Sequence, residues 1–166
     1  MKNILLLIVG GTLVILYFVF KDEISPKSAQ APVSVAETMI VKTYFLNTMT
    51  DPSMLDCTKV YVVDRTVPKS VATAEPALKE LLKGPSEGEI ILGYLSSINP
   101  GTILQSLKIE DGIAYADFSA MLGQAVAGSC RVGSIRAQIE NTLLQFPTVT
   151  SVVISIEGET EGILQP

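Results

Sequence analysis

The amino-acid sequence predicts an α+β domain of two layers, a mixed β-sheet with two main helices on one face, in the order β-β-α-β-β-α-β. Three observations lead there. Two stretches carry apolar residues at helical spacing, several short stretches are β-branched and alternating, and Asp111-Gly112 joins two of these as a hairpin. A chain of 166 residues that is 48% hydrophobic fills one ordinary core and is short for two.

The elements follow in order. Met39–Leu46 ("MIVKTYFL") and Val60–Val63 ("VYVV") are β-branched and aromatic, so both read as strands, with the polar "NTMTDPSMLDCTK" between them. In "TAEPALKELLKGP" the apolar residues Ala77, Leu78, Leu81 and Leu82 recur at helical spacing; Thr73 is placed to cap this helix and Gly84-Pro85 to stop it. A Gly- and Pro-bearing loop leads to Ile103–Glu110, read with Ile103, Leu107 and Ile109 on one face. Asp111-Gly112 is the pair a type I′ turn favours, and Ile113–Phe118 returns as the partner strand. A short helical piece follows Ser119. Val132, Ile135, Ile139, Leu143 and Phe146 then fall at steps of three and four, an amphipathic helix ending at Pro147. The last strand, Val149–Ile156, alternates Val152, Ile154 and Ile156 against Ser151 and Ser155.

Ahead of the domain, Ile4–Phe20 is uncharged and spans roughly 25 Å as a helix, enough to cross a membrane. Lys2 precedes it and Lys21-Asp22-Glu23 follows, so positive-inside logic leaves the N-terminus in the cytoplasm and the domain outside. The expectation is a single-pass anchor over 1–21, a flexible Ser/Ala/Pro linker over 22–38 and an extracytoplasmic domain over 39–166 in the cell membrane. A cleaved signal peptide and a core helix are the alternatives. The apolar run is long for a signal h-region, and Ala29-Gln30-Ala31 lies far beyond it. No cysteine follows the run closely enough for a lipid anchor.

Composition limits the chemistry. A net charge of −5 with no two adjacent basic residues argues against nucleic acid as a partner. The absence of histidine removes the commonest general base and zinc ligand, and neither a cofactor nor a metal is expected. Catalysis would have to use carboxylates, Tyr, Lys or the two thiols.

Cys130 and Arg136 in "GSCRVGSIR" have the spacing of cysteine-dependent phosphatases, in which backbone N–H groups and an arginine hold the phosphate. The context opposes that reading: "AMLGQAVAG" is unlike the strand that should precede such a loop, and the helical phase turns Arg136 toward solvent. Two cysteines in an extracytoplasmic domain suggest instead a disulfide, Cys57 to Cys130, against two independent buried thiols. Such a bridge would remove unfolded-state entropy equivalent to about 4 kcal/mol. Glu110 with Asp117 and Glu87 with Glu89 are the carboxylate pairs that could hydrolyse a glycan. Asp117 or Ser119 more simply caps the helical piece that follows, and "EGETEG" over 157–162 has too few unspaced charges for calcium. Any partner surface is expected on the loop Ser86–Thr102 or on open sheet edges.

The ordered set Tyr44-Phe45, Arg65 with Val67, Ala77-Leu78, "LLKGP" at 81–85, "INPGT" at 98–102, "DGIAYADFS" at 111–119 and "TLLQFPTVTSV" at 142–152 resembles the GerMN domain of sporulation and spore-germination proteins. The resemblance runs from about Val41 to Gly158, in one copy. It implies a fold similar to ring-building motifs, a membrane-tethered extracytoplasmic place, and use as a scaffold in envelope assemblies through a protein partner or self-association. It brings no catalytic residues. A module binding cell-wall glycan or peptide, and an envelope hydrolase, are the competing readings.

Overall fold

The first strand, β1 (Thr38–Asn47), alternates up to Phe45, with Val41, Thr43 and Phe45 buried and Thr38, Ile40 and Lys42 exposed, and its end, Leu46 and Asn47, is buried on both faces. The chain is seen here in a computed structural model that describes residues 37–165. The anchor read over 1–21, and the linker up to residue 36, lie outside the described residues, among which no helix is long and apolar enough to cross a membrane. β2 (Tyr61–Pro68) pairs antiparallel along β1, from Phe45 opposite Tyr61 to Thr38 opposite Pro68. It runs well past the apolar "VYVV" because the pairing carries polar residues too: Asp64 sits opposite Lys42, and Arg65 lays its guanidinium 5.8 Å from the Phe45 ring centre. A two-residue strand, β3 (Tyr94–Leu95), pairs with Leu46 and Asn47.

β4 (Leu104–Glu110) and β5 (Ile113–Phe118) form the expected hairpin, with Asp111 and Gly112 both left-handed, at φ 49° and 83°. The face assigned to β4 is corrected. A register shift between Leu104 and Ser106 changes the phase, so Leu104 and Leu107 pack on the core while Ile103 is 62% exposed. β6 (Ser151–Ile156) runs parallel to β5, Ile113 opposite Ser151 and Phe118 opposite Ile156.

Helix α1 (Ala74–Leu82) buries Ala77, Leu78 and Leu81 completely. Thr73 holds the N-cap position, but its hydroxyl makes no cap bond because its backbone is already helical, at φ −71° and ψ −27°. Gly84 stops the helix as expected, at φ 76° with its N–H donated to Leu81 O at 2.9 Å. The loop after it contains a short helix, α2 (Glu87–Ile91), which periodicity over five residues does not reveal. Its signal was the capping box Ser86…Glu89, in which each side chain accepts the other's backbone N–H. A 3₁₀ turn spans Ala120–Gly123, and α3 runs from Ser129 to Leu144.

The expected single mixed sheet is replaced by two three-stranded sheets, β2-β1-β3 and β4-β5-β6, the first antiparallel and the second mixed. The cause lies in α3, which packs against β1 of one sheet and β6 of the other. Its apolar stripe, Val132, Ile135, Ile139 and Leu143, is buried as predicted. The flank beside it, Ser134, Ala137, Gln138 and Thr142, is buried as well, so the helix is enclosed over much of its circumference. The main core joins Phe45, Leu78, Leu81, Phe118, Leu122, Ile135, Ile139 and Leu143.

Ile139→Ala is expected to cost about 2–5 kcal/mol, read as a lower denaturant midpoint, because the fully buried side chain has no route to collapse between two sheets. Burial raises the Glu140 carboxyl above its ordinary 4.5, an effect partly offset by the Arg136 guanidinium. The folded state therefore holds this proton more tightly than the unfolded chain, and the group costs stability as pH rises above 4.5. Glu140→Gln is accordingly expected to stabilise the domain at pH 7 and to make no difference below the glutamate range, by thermal melts across pH.

Candidate functional site

Cys57 and Cys130 are joined by a disulfide, with Cα atoms 5.2 Å apart across 73 residues of sequence. Cys130 is the second residue of α3 rather than part of a loop before it, and its thiol is consumed in the bridge. Arg136 lies further along the helix, half-buried beside Glu140. The expectation that it faces open solvent is corrected, because the flank of α3 that carries it is partly covered. The phosphatase spacing thus brings together no phosphate cradle.

The loop Ser86–Thr102, expected to present a ligand or a partner, is held internally by charged groups. Arg65 donates to Glu89 and, at 3.1 Å, to Gly84 O, with both partners of the ion pair largely buried. Asn99 is a three-way staple: its amide donates at 2.7 Å to both Met121 O and Gln124 O, and its Oδ1 accepts from Arg131 at 2.6 Å. Arg131 also donates to Ala125 O at 3.2 Å. "INPGT" is therefore a structural motif that fastens the loop to the 3₁₀ turn and the start of α3. The sequence marks Asn99-Pro100-Gly101 as a turn in preference to a ligand loop, and nothing in it singles out Arg131.

The carboxylates do not assemble. Glu110 stands opposite Ile113 and Asp117 opposite Ser106, at the two ends of the hairpin. Asp117 accepts from Ser155 Oγ at 2.6 Å and Gly158 N at 2.9 Å, so it ties β5 to the tail. The expected cap is corrected: the free Ala120 N–H is bound at 2.9 Å by Glu157, while Ser119 Oγ accepts from Ile103 N. Glu157 also accepts from Gln105 at 3.0 Å, which gives the acidic tail a cross-linking role. Among the described residues no acidic or thiol cluster could hold a metal ion.

What the surface offers is apolar. Ile90, Ile91, Leu92 and Leu95 project from α2 and β3 with 54%, 73%, 59% and 41% of their areas exposed. Their backbone is fixed against the end of β1, Asn47 donating to Leu92 O and Thr48 N to Gly93 O. Gly93 is required there, since a Cβ would stand 2.8 Å from the side chain of Met49. Ile90, Tyr94 and Leu95 line a groove of about 310 Å³ with Leu82, Pro85 and Pro100. A second groove, of about 270 Å³, runs beside the outer edge of β4, with Leu107 and Ile109 on one wall and Ala74 on the other. Sequence gave the loop and the edges as candidate surfaces; which side chains they display depends on the α2–β3 turn.

Asn99→Ala is expected to destabilise the domain by about 1–2 kcal/mol, since it removes the partner of two carbonyls and one of the two partners of the Arg131 guanidinium. Urea unfolding monitored by circular dichroism measures it, with the exposed-surface change Ser106→Ala as the neutral control.

The Germane domain, described by its role in sporulation and spore germination, matches residues 42–162. No curated protein matches the chain. The tandem GerMN domains of the sporulation protein GerM from Bacillus subtilis superpose with a TM-score of 0.54 at 26% identity, over 75% of this chain and 41% of theirs. The first GerMN domain of the same protein gives 0.52 at 25% identity, over 74% of this chain and 85% of that one. This chain thus spans less than half the tandem structure. With the family match covering most of the domain and the same fold in both solved structures, the chain belongs to the Germane family of sporulation and spore-germination domains, the GerMN type that its motif order resembles.

Proposed function

We propose that this chain is a membrane-anchored, extracytoplasmic binding module of the bacterial cell envelope, acting in sporulation or germination by docking a protein partner or a second copy of itself rather than by catalysis. One observation carries the reading. The groups with chemical potential, Cys57, Cys130, Arg65, Glu89, Asn99, Asp117 and Glu157, are engaged inside the molecule, while a rigidly backed row of apolar side chains from Ile90 to Leu95 meets solvent. The disulfide supports an oxidising compartment, and the uncharged Ile4–Phe20 supports a tether.

The test uses the full chain in native membranes with a photo-crosslinking residue at Ile91, and the same residue at Ser106 as control. The expected outcome is a crosslink to a defined protein or to a second copy from Ile91 alone, lost at least about tenfold in Leu92→Asp. Retention by isolated cell wall without any protein crosslink would favour a wall-binding module instead. Turnover of wall fragments that vanishes with a single carboxylate substitution would overturn the non-catalytic reading. Extraction of the chain by carbonate would remove the anchor from it.

A further inference from the structure

The two cysteines of the bridge occupy unlike surroundings. Cys130 is exposed, whereas Cys57, within the 48–60 loop, is half-buried. Cys130 is the second residue of a 16-residue helix whose first turn carries no carboxylate, and Arg131 follows it. The free N–H groups of that turn place the positive end of the helix at the Cys130 side chain. Cys57 is flanked instead by Asp56, whose carboxyl is held below its ordinary range by the hydroxyl and backbone N–H of Thr58, at 2.7 and 2.9 Å. Lys59 also acts on Asp56 but is directed to Asp51 at 3.7 Å and to the Tyr61 ring, so it compensates the Asp56 charge only in part. The backbone on both sides is fixed: Ser134 Oγ donates to Cys57 O at 2.7 Å and lies 3.0 Å from Cys130 O.

We infer that Cys130 is the thiol through which this domain exchanges disulfides, and that Cys57 is the resolving thiol. In the reduced chain the Cys130 thiolate attacks a sulfur of a disulfide-bearing oxidant, forming a mixed disulfide and releasing one thiolate of the oxidant. Cys57, deprotonated in turn, then attacks Cys130 Sγ and expels the second thiolate. Both cysteine protons are released, and the oxidant takes up the two electrons. The same asymmetry resists reversal. A reductant meets Cys130, the more exposed of the two residues, so the group it must expel is Cys57, the thiol that the Asp56 charge makes the poorer leaving group. The arrangement opens slowly.

The test measures mixed-disulfide formation with glutathione disulfide at pH 7 on the full chain carrying Cys57→Ser or Cys130→Ser, by intact mass. Cys57→Ser, which keeps Cys130, is expected to couple about tenfold faster than Cys130→Ser, the ratio falling toward one in guanidinium that unfolds the chain. A native ratio of one or below, an unchanged ratio in guanidinium, or no coupling by either variant while free cysteine couples would each overturn the inference. If a variant fails to fold, the unaltered chain is reduced and pulse-alkylated with iodoacetamide. Peptide mapping should then find the first adduct on Cys130; a first adduct on Cys57, or equal labelling of both, overturns it.

Discussion

The structure depends on the enclosure of α3. A helix with a single apolar stripe needs one sheet to lie on, but here the neighbouring flank is buried too, and that requires a second surface. β1 provides it from one side and β6 from the other. Two polar residues of that flank, Ser134 and Gln138, bind loop backbone that the sheets leave unpaired, whereas the Thr142 hydroxyl is buried without a partner. Gln138, fully buried, accepts from Ser97 N at 2.8 Å and donates to Ser96 Oγ at 3.2 Å. Gln145 takes the place of a strand at the open edge of β1, accepting from Lys42 N at 2.9 Å and donating to Lys42 O at 2.6 Å. β1 is thereby closed by β3 at one end and by an amide side chain further along, so the two sheets stay separate.

The same economy shapes the surface. A domain that joins two small sheets through one helix must fasten its long connections individually, and it does so with its charged and amide side chains. Arg65 with Glu89 holds the turn after α1, Asn99 with Arg131 holds the next loop, Glu157 secures the tail, and the disulfide holds the 48–60 segment to α3. Side chains committed in this way have low freedom to serve a reaction. The apolar residues of α2 and β3, mounted on that fastened frame, gain a fixed geometry without being drawn into the core.

Legibility followed the range of the interaction. The β4–β5 hairpin was readable because Asp111-Gly112 is a local signal, and Phe118 and Ile139 reach the core by simple alternation and helical phase. The face of β4 was misread because one shifted register undoes alternation, and no residue in "ILQSLKIE" marks the shift. α2 was missed although Ser86 and Glu89 spelled a capping box, since five residues are too few to show a period. Asp117 was assigned a cap that Glu157 performs from 37 residues beyond Ala120, a distance over which local rules have no force.

The sequence by itself determined the α+β class, the two main helices, the hairpin and the family, because each rests on periodicity, turn chemistry or ordered motifs carried within a few residues. Only the tertiary structure decided that there are two sheets, that Gln138 and Gln145 serve as backbone partners, and that Cys130 is the more exposed half of the bridge. The physical reason is common to all three. Each depends on which groups meet across the enclosed helix, and an amide or a thiol has the same spelling whether it faces water or completes the edge of a strand.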